Sequence, residues 1–177
     1  THYCIMKKIF ILAATAALLV PVFSSCEKHE PTEISATSMP DKAVLYGYVR
    51  SRTISSESTS IVVKYTDYVL EPKCDVVVEV TTIGSTNTSE IYRVKTDQQG
   101  MFKLELSAPV GKTVKGVAYV QLKDRPSYIK VGSAWIQGIA NLYGSTPFSV
   151  TSLKSSKITI DVDPDNAYSA WNADIKN

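Results

Sequence analysis

The chain has 177 residues, 44% of them hydrophobic and 20% charged, which is ordinary globular usage for one domain plus extra segments. A domain of roughly 100–150 residues buries a working core without metals or disulfides. Formal net charge is +2; Lys7 and Lys8 are the only charges before residue 26, so the remainder balances at 19 − 2 = 17 basic against 17 acidic residues and lacks the electrostatic footprint of a nucleic-acid binder.

Residues 1–5 precede a better start at Met6 and read as upstream translation or a fragment edge. Lys7 and Lys8 then lead into "IFILAATAALLVPVF", residues 9–23, which carries no charge and contains Pro21. A spanning helix needs about 20 apolar residues, so this run is too short. A basic start, a short apolar core and small residues after it make a secretory signal. A buried core helix is the alternative, but the polar tract that follows offers it no partner face. The run ends in "FSSC", residues 23–26. This ending resembles the lipobox of bacterial lipoproteins, with Phe23 where Leu is usual. The resemblance implies cleavage before Cys26 and acylation of its sulfur. It also implies an outer-membrane, lipid-anchored protein of a Gram-negative cell envelope, because Glu27 stands where an inner-membrane retention signal carries Asp. Acyl chains of about 0.8 kcal/mol per buried CH2 anchor stably when more than one is attached. The alternative is an ordinary signal with Cys26 in a disulfide to Cys74. Residues 1–25 are thus expected to be signal peptide and 26–42 a lipidated tether, since "EKHEPTEISATSMPDK" is polar and carries two prolines.

From Ala43 onward no helical period stands out, and alternation dominates. "MFKLELS" (101–107) sets Phe102, Leu104 and Leu106 against Lys103 and Glu105. "KITIDV" (157–162) sets Ile158, Ile160 and Val162 against Lys157, Thr159 and Asp161. "DVVVEV" (75–80) sets Val76, Val78 and Val80 against Val77 and Glu79. Further strands are expected at 43–50, 60–66, 89–96, 113–122, 127–136 and 147–153. Turns are expected at 84–87, 97–100, 109–112, 123–126 and 143–146, and an irregular loop at 132–144. Many short strands at near-regular spacing predict an all-β fold, a Greek-key β-sandwich of about seven to nine strands over residues 43–165. Residues 166–177 form a C-terminal tail that reads as cut before a further segment.

In "VKTDQQGMFKLELSAPVGKT", residues 94–113, Asp97 can close a turn on its own backbone and Gly100 can take the positive φ that the turn needs. With "YGYV" (46–49) and "EPKCDVVVEV" (71–80), this stretch resembles the carboxypeptidase regulatory-like, or prealbumin-like, β-sandwich. The resemblance covers most of 43–122 and again 156–163. It implies a structural or binding module and transfers no active-site residue. The Ser/Thr-rich segment 51–71 and the segment 123–155 are both longer than that family's pattern.

Little in the chain points to catalysis. Its two histidines, His2 and His29, lie before the sandwich, which removes Ser-His and Cys-His schemes and nearly all zinc sites from it. No Gly-rich phosphate loop is present. Cys74 reads as a small buried hydrophobe rather than a reactive thiol. Asp161, Asp163 and Asp165 alternate as the first ligands of a calcium loop do, but Asn166 replaces its Gly and Asn172 its Glu, so a strand end with an Asx turn competes with calcium binding. No other cofactor is expected. Trp135, Tyr143 and Trp171, with Phe148, could form a platform for sugar or protein, against plain core packing. The expected function is a non-catalytic interaction or structural module, partnered by the membrane through its lipid and by an envelope protein or glycan. The alternatives are a carbohydrate-binding lipoprotein of a glycan uptake system and a pilin-like or pore-forming assembly component.

Overall fold

The computed structural model describes residues 40–164. The signal, Cys26, residues 27–39 of the tether, Asp165 and Trp171 lie outside the described residues; Lys42, expected to end the tether, instead opens the first strand. Eight strands follow in order: β1 (Lys42–Ser51), β2 (Val69–Leu70), β3 (Asp75–Ile83), β4 (Thr86–Lys95), β5 (Met101–Ser107), β6 (Thr113–Val131), β7 (Ala134–Thr151) and β8 (Ser155–Val162). They form the expected all-β sandwich of two four-stranded sheets.

In the first sheet β1 is central. It runs parallel to β8 on one side and antiparallel to β5 and the short β2 on the other. The second sheet is antiparallel throughout, in the order β4-β3-β6-β7. The chain changes sheet between β2 and β3, β4 and β5, β5 and β6, and β7 and β8.

Alternation chose the inward faces. Val76, Val78 and Val80 of β3 pack with Phe102 and Leu106 of β5 and with Ile158, Ile160 and Val162 of β8, with Leu104 half-buried beside them. Each such side chain contributes roughly 1.5–3 kcal/mol by leaving water. Val77 was expected outward and is nevertheless buried. It lies opposite Tyr119 of β6, whose hydroxyl donates to Glu79 at 3.0 Å. The tyrosine makes that outer face partly apolar.

The Asp97 turn forms as its residues require. Asp97 Oδ1 accepts from the amides of Gln99 (2.8 Å) and Met101 (2.9 Å), and Gly100 has φ +73°. The crossing from β2 to β3 is pinned nearby. Thr96 Oγ1 donates to the Glu71 carbonyl at 2.7 Å and accepts from the Cys74 amide at 2.9 Å.

Five expectations need correction. The strand expected at 127–136 is a hairpin that folds at Gly132 and Ser133, between the paired Val131 and Ala134. Gly-Ser is a two-residue hairpin signal, and Gly132 takes φ +62°. The turn expected at 123–126 is a bulge inside β6: the register shifts between Leu122 and Arg125, with Asp124 at φ +54°. An extra residue bends a strand without ending it. Residues 134–144 of the expected loop and the whole of the expected turn at 143–146 belong to β7. Gly144 serves close packing there, since a Cβ would fall 1.8 Å from the carbonyl oxygen of Asp161. At this corner β7 meets the end of β8, where Tyr143 and Asp163 exchange backbone bonds. The strand expected at 60–66 joins no sheet; only Tyr65 bridges, to Ile54.

Gly144→Ala is therefore expected to destabilise the sandwich by about 3 kcal/mol through forced separation of β7 from β8. Urea unfolding should show a lower midpoint at unchanged slope. A midpoint equal to wild type would contradict the close packing.

Candidate functional site

The long hairpin of β6 and β7 leaves the sandwich. β3 pairs with β6 only over Val114–Tyr119, whereas β6 and β7 stay paired out to Val131 and Ala134. Beyond the bulge the arm runs from Arg125 to Val131, about 23 Å at roughly 3.3 Å per residue.

One edge of this arm is covered. Residues 52–68 fold into an irregular hairpin, closed by Ser55 N to Lys64 O at 2.8 Å and Thr66 N to Thr53 O at 2.9 Å, with a tight turn from Thr59 to Val62. This flap lies along the side of β6 that β3 has left. Ile54 N donates to Ser127 Oγ at 3.1 Å, and Tyr128 N donates to Ile54 O at 3.4 Å. Near the tip Trp135 Nε1 donates to Thr59 O at 2.7 Å, and Lys130 Nζ donates to Ser60 O at 3.3 Å. The Ser/Thr-rich composition suits this role, since short hydroxyl side chains bond the backbone where no ladder exists.

Two charge clusters hold the base of the flap. Glu71 is buried; its carboxylate accepts from Ser51 Oγ and pairs with Arg125 Nη2 at 2.6 Å. This joins the end of β1, the entrance to β3 and the root of the arm. The second cluster follows from strand register. β1 and β8 run parallel with Arg50 opposite Asp161, so Arg52 comes to Asp163 two residues on. Arg50 holds Asp161 through two bonds of 2.6 and 3.0 Å, and Arg52 pairs with Asp163. Two flap tyrosines cover the guanidinium groups. Arg52 lies 4.2 Å from the Tyr65 ring centre and Arg50 lies 4.5 Å from that of Tyr68, and such stacking adds about 0.5–1 kcal/mol at an exposed site. Tyr68 also donates to Asp163 at 3.0 Å. Burial, followed by that bond to the carboxylate, raises the Tyr68 hydroxyl above its usual value. The bond to Asp161 raises the Arg50 guanidinium further.

Those of the residues singled out in the sequence that the structure describes do not converge. Asp161 and Asp163 share a face, but both carboxylates are taken by guanidinium groups. Among the described residues no group of three or more His, Cys, Asp or Glu is arranged to hold a metal. Tyr143 and Phe148 are buried in the sandwich. Trp135 is half-buried on the arm, with Lys130 Nζ 5.9 Å from its ring centre. Trp135 and Tyr143 are eight residues apart on one strand, about 26 Å, so they form no common platform. Every buried polar side chain among the described residues has a partner. None points into the protein awaiting a ligand.

Exposed apolar surface is concentrated on the arm and flap instead. Of the eleven large exposed hydrophobics among the described residues, six are here: Ile61, Val62, Val63, Val131, Ile136 and Ile139, with Ile61 91% exposed. Single exposed apolar residues are ordinary, but these six fall on two segments that hydrogen-bond to one another. The flap tip was legible as the uncharged run "SIVV", although that run read as a strand. A scan against protein-family models and searches of curated proteins and of solved structures return no match.

Cys74 is buried, with its sulfur 3.4 Å from Thr96 Oγ1, and burial raises its thiol above the usual value. The unfolded thiol therefore ionises first as pH rises. Stability from this group is complete below the ordinary thiol value and declines above it. Alkylation at pH 8, read by mass spectrometry of the Cys74 peptide, should be negligible in the folded chain and rapid in urea; equal rates in both would contradict this burial.

Arg125→Ala leaves the buried Glu71 carboxylate without its charged donor. It is expected to lower stability by about 2 kcal/mol, whereas Lys64→Ala, which breaks an exposed pair with Glu57, should change it by under about 0.5 kcal/mol. Urea midpoints measure both, and equal effects would deny the Glu71 pair its role.

Proposed function

We propose that the protein is a lipid-anchored cell-envelope β-sandwich that acts as a non-catalytic interaction or structural module. The observation that carries the interaction half is the braced arm, whose tip and flap expose six large hydrophobics while the neighbouring charges are committed to internal pairs. A surface built this way suits a partner of matching shape better than a reaction, because its ordered polar groups already serve one another. The lack of histidine between residues 30 and 177 agrees with that reading.

The anchor half rests on the resemblance of residues 7–26 to a lipobox signal, with Cys26 acylated and the protein held at the outer membrane of a Gram-negative cell. The carboxypeptidase regulatory-like resemblance supports the same class of function, because such sandwiches are usually appendages. The sugar-binding alternative finds less support. Its described candidates are Tyr143, which is buried, and Trp135, whose indole N–H is already bonded to the flap.

Expression of the chain in a Gram-negative host tests the anchor. Mass spectrometry should find Cys26 N-terminal and acylated, and Cys26→Ser should move the protein from the carbonate-resistant membrane fraction to the soluble one. An unmodified Cys26, or identical partition of the two proteins, would overturn the lipoprotein reading.

A further inference from the structure

Among the described residues, the outer edge of the arm is a long strand edge with neither charge nor cover against pairing. Five strands have a ladder on one side only: β2, β4, β5, β7 and β8; β2 is two residues long, too short to template a partner. Proteins protect such edges with charge, proline or cover. β4 carries Glu90, Arg93 and Lys95, β5 carries Lys103 and Glu105, and β8 carries Lys157 and Asp161. β7 has no charged residue in all eighteen positions. Its far half is covered where it meets the end of β8, at Tyr143 and at Thr146, whose hydroxyl donates to the Thr159 carbonyl. Its near half, residues 134–142, pairs with β6 alone among the described residues. The flap covers the opposite edge of the arm, on β6, and leaves this one open.

We infer that residues 134–142 pair antiparallel with the same edge of a second copy of the chain, joining two arms into a four-stranded sheet in the order β6-β7-β7-β6. The inference goes beyond the interaction module proposed above by naming both the surface and its partner. Its occupant follows from charge and from pattern. A strand that meets its own copy across a two-fold axis faces its own charges, and like charges directly opposite are destabilising. β7 has none, and the chain after residue 25 is neutral by count. Alternation sends Ile136 to one face of the arm, beside Ile129 and Val131, and sends Trp135 and Ile139 to the other. Both faces are thus partly apolar and exposed. An added strand must supply apolar residues on both faces to continue them, and a second copy does so by symmetry. Register is then set by that apolar pattern, since a slip of one residue exchanges the faces.

Sedimentation equilibrium of the purified full chain, from micromolar to near-millimolar concentration, tests the inference. A monomer–dimer equilibrium is expected. Ile136→Lys and, independently, Gln137→Glu should each weaken it roughly tenfold or more. Ile91→Lys, on the edge strand β4 at the other side of the sheet, should leave it unchanged. Circular dichroism and urea midpoints establish that each variant is folded, and the Gln137 variant decides if the Ile136 variant is not. A wild-type chain that stays monomeric overturns the inference, even if it captures an uncharged synthetic strand. So does a dimer that both β7 variants leave intact, or one that Ile91→Lys weakens equally. Acylation of Cys26 has no part in this comparison, so failure of the anchor leaves the inference standing, and a monomer leaves the anchor standing.

Discussion

The carboxylate of Glu71 is out of water and must be answered where it lies. Ser51 and Arg125 answer it, one from the end of the central strand and the other from the root of the arm. That requirement links three parts of the chain distant in sequence. A charge this deep is costly when unpaired, so the entrance to β3, the end of β1 and the bulge in β6 must take their positions together. The neighbouring Thr96 and Cys74 contacts hold the same turn from the other side.

The arm depends on this junction. A two-stranded ribbon is marginal alone in water, and this one leaves the sandwich with neither face packed on a sheet. Its rigidity comes from its base and its flap. Glu71 ties down Arg125, Ser127 and Tyr128 receive the flap backbone, and Tyr65 and Tyr68 stack the flap onto Arg50 and Arg52. The long segment between β1 and β2 is thus a brace, and its hydroxyl-rich sequence reflects hydrogen bonding outside a ladder. Function, in this reading, lies in what the brace holds out: an uncharged strand edge with apolar residues on both faces.

Much of the sandwich was legible because its signals are local. The valines of β3, the Phe102 and Leu106 face, the β8 face and the Asp97–Gly100 turn are set by neighbours within a few residues. The arm was not, for two physical reasons. Turn-like tetrads at 123–126 and 143–146 sit inside continuous strands, one as a bulge and one where Gly144 admits the Asp161 carbonyl. Local composition does not distinguish a turn from a bulge or a close crossing. The ion pairs were hidden because parallel pairing of β1 with β8 brings together residues 111 positions apart. Arg-Ser-Arg at 50–52 and Asp-Val-Asp at 161–163 were each visible, and only the register makes them partners. Asp161 and Asp163, two of the three alternating aspartates, are one half of that match.

The braced arm is the central claim, and its amides test it most directly. Hydrogen exchange resolved by residue should find the paired amides of 127–130 and 135–138 protected to an extent approaching those of β3, and Glu71→Ala should release the arm while β3 stays protected. Arm amides that exchange in the wild-type chain as freely as an exposed loop, beside a protected sandwich, would contradict the account.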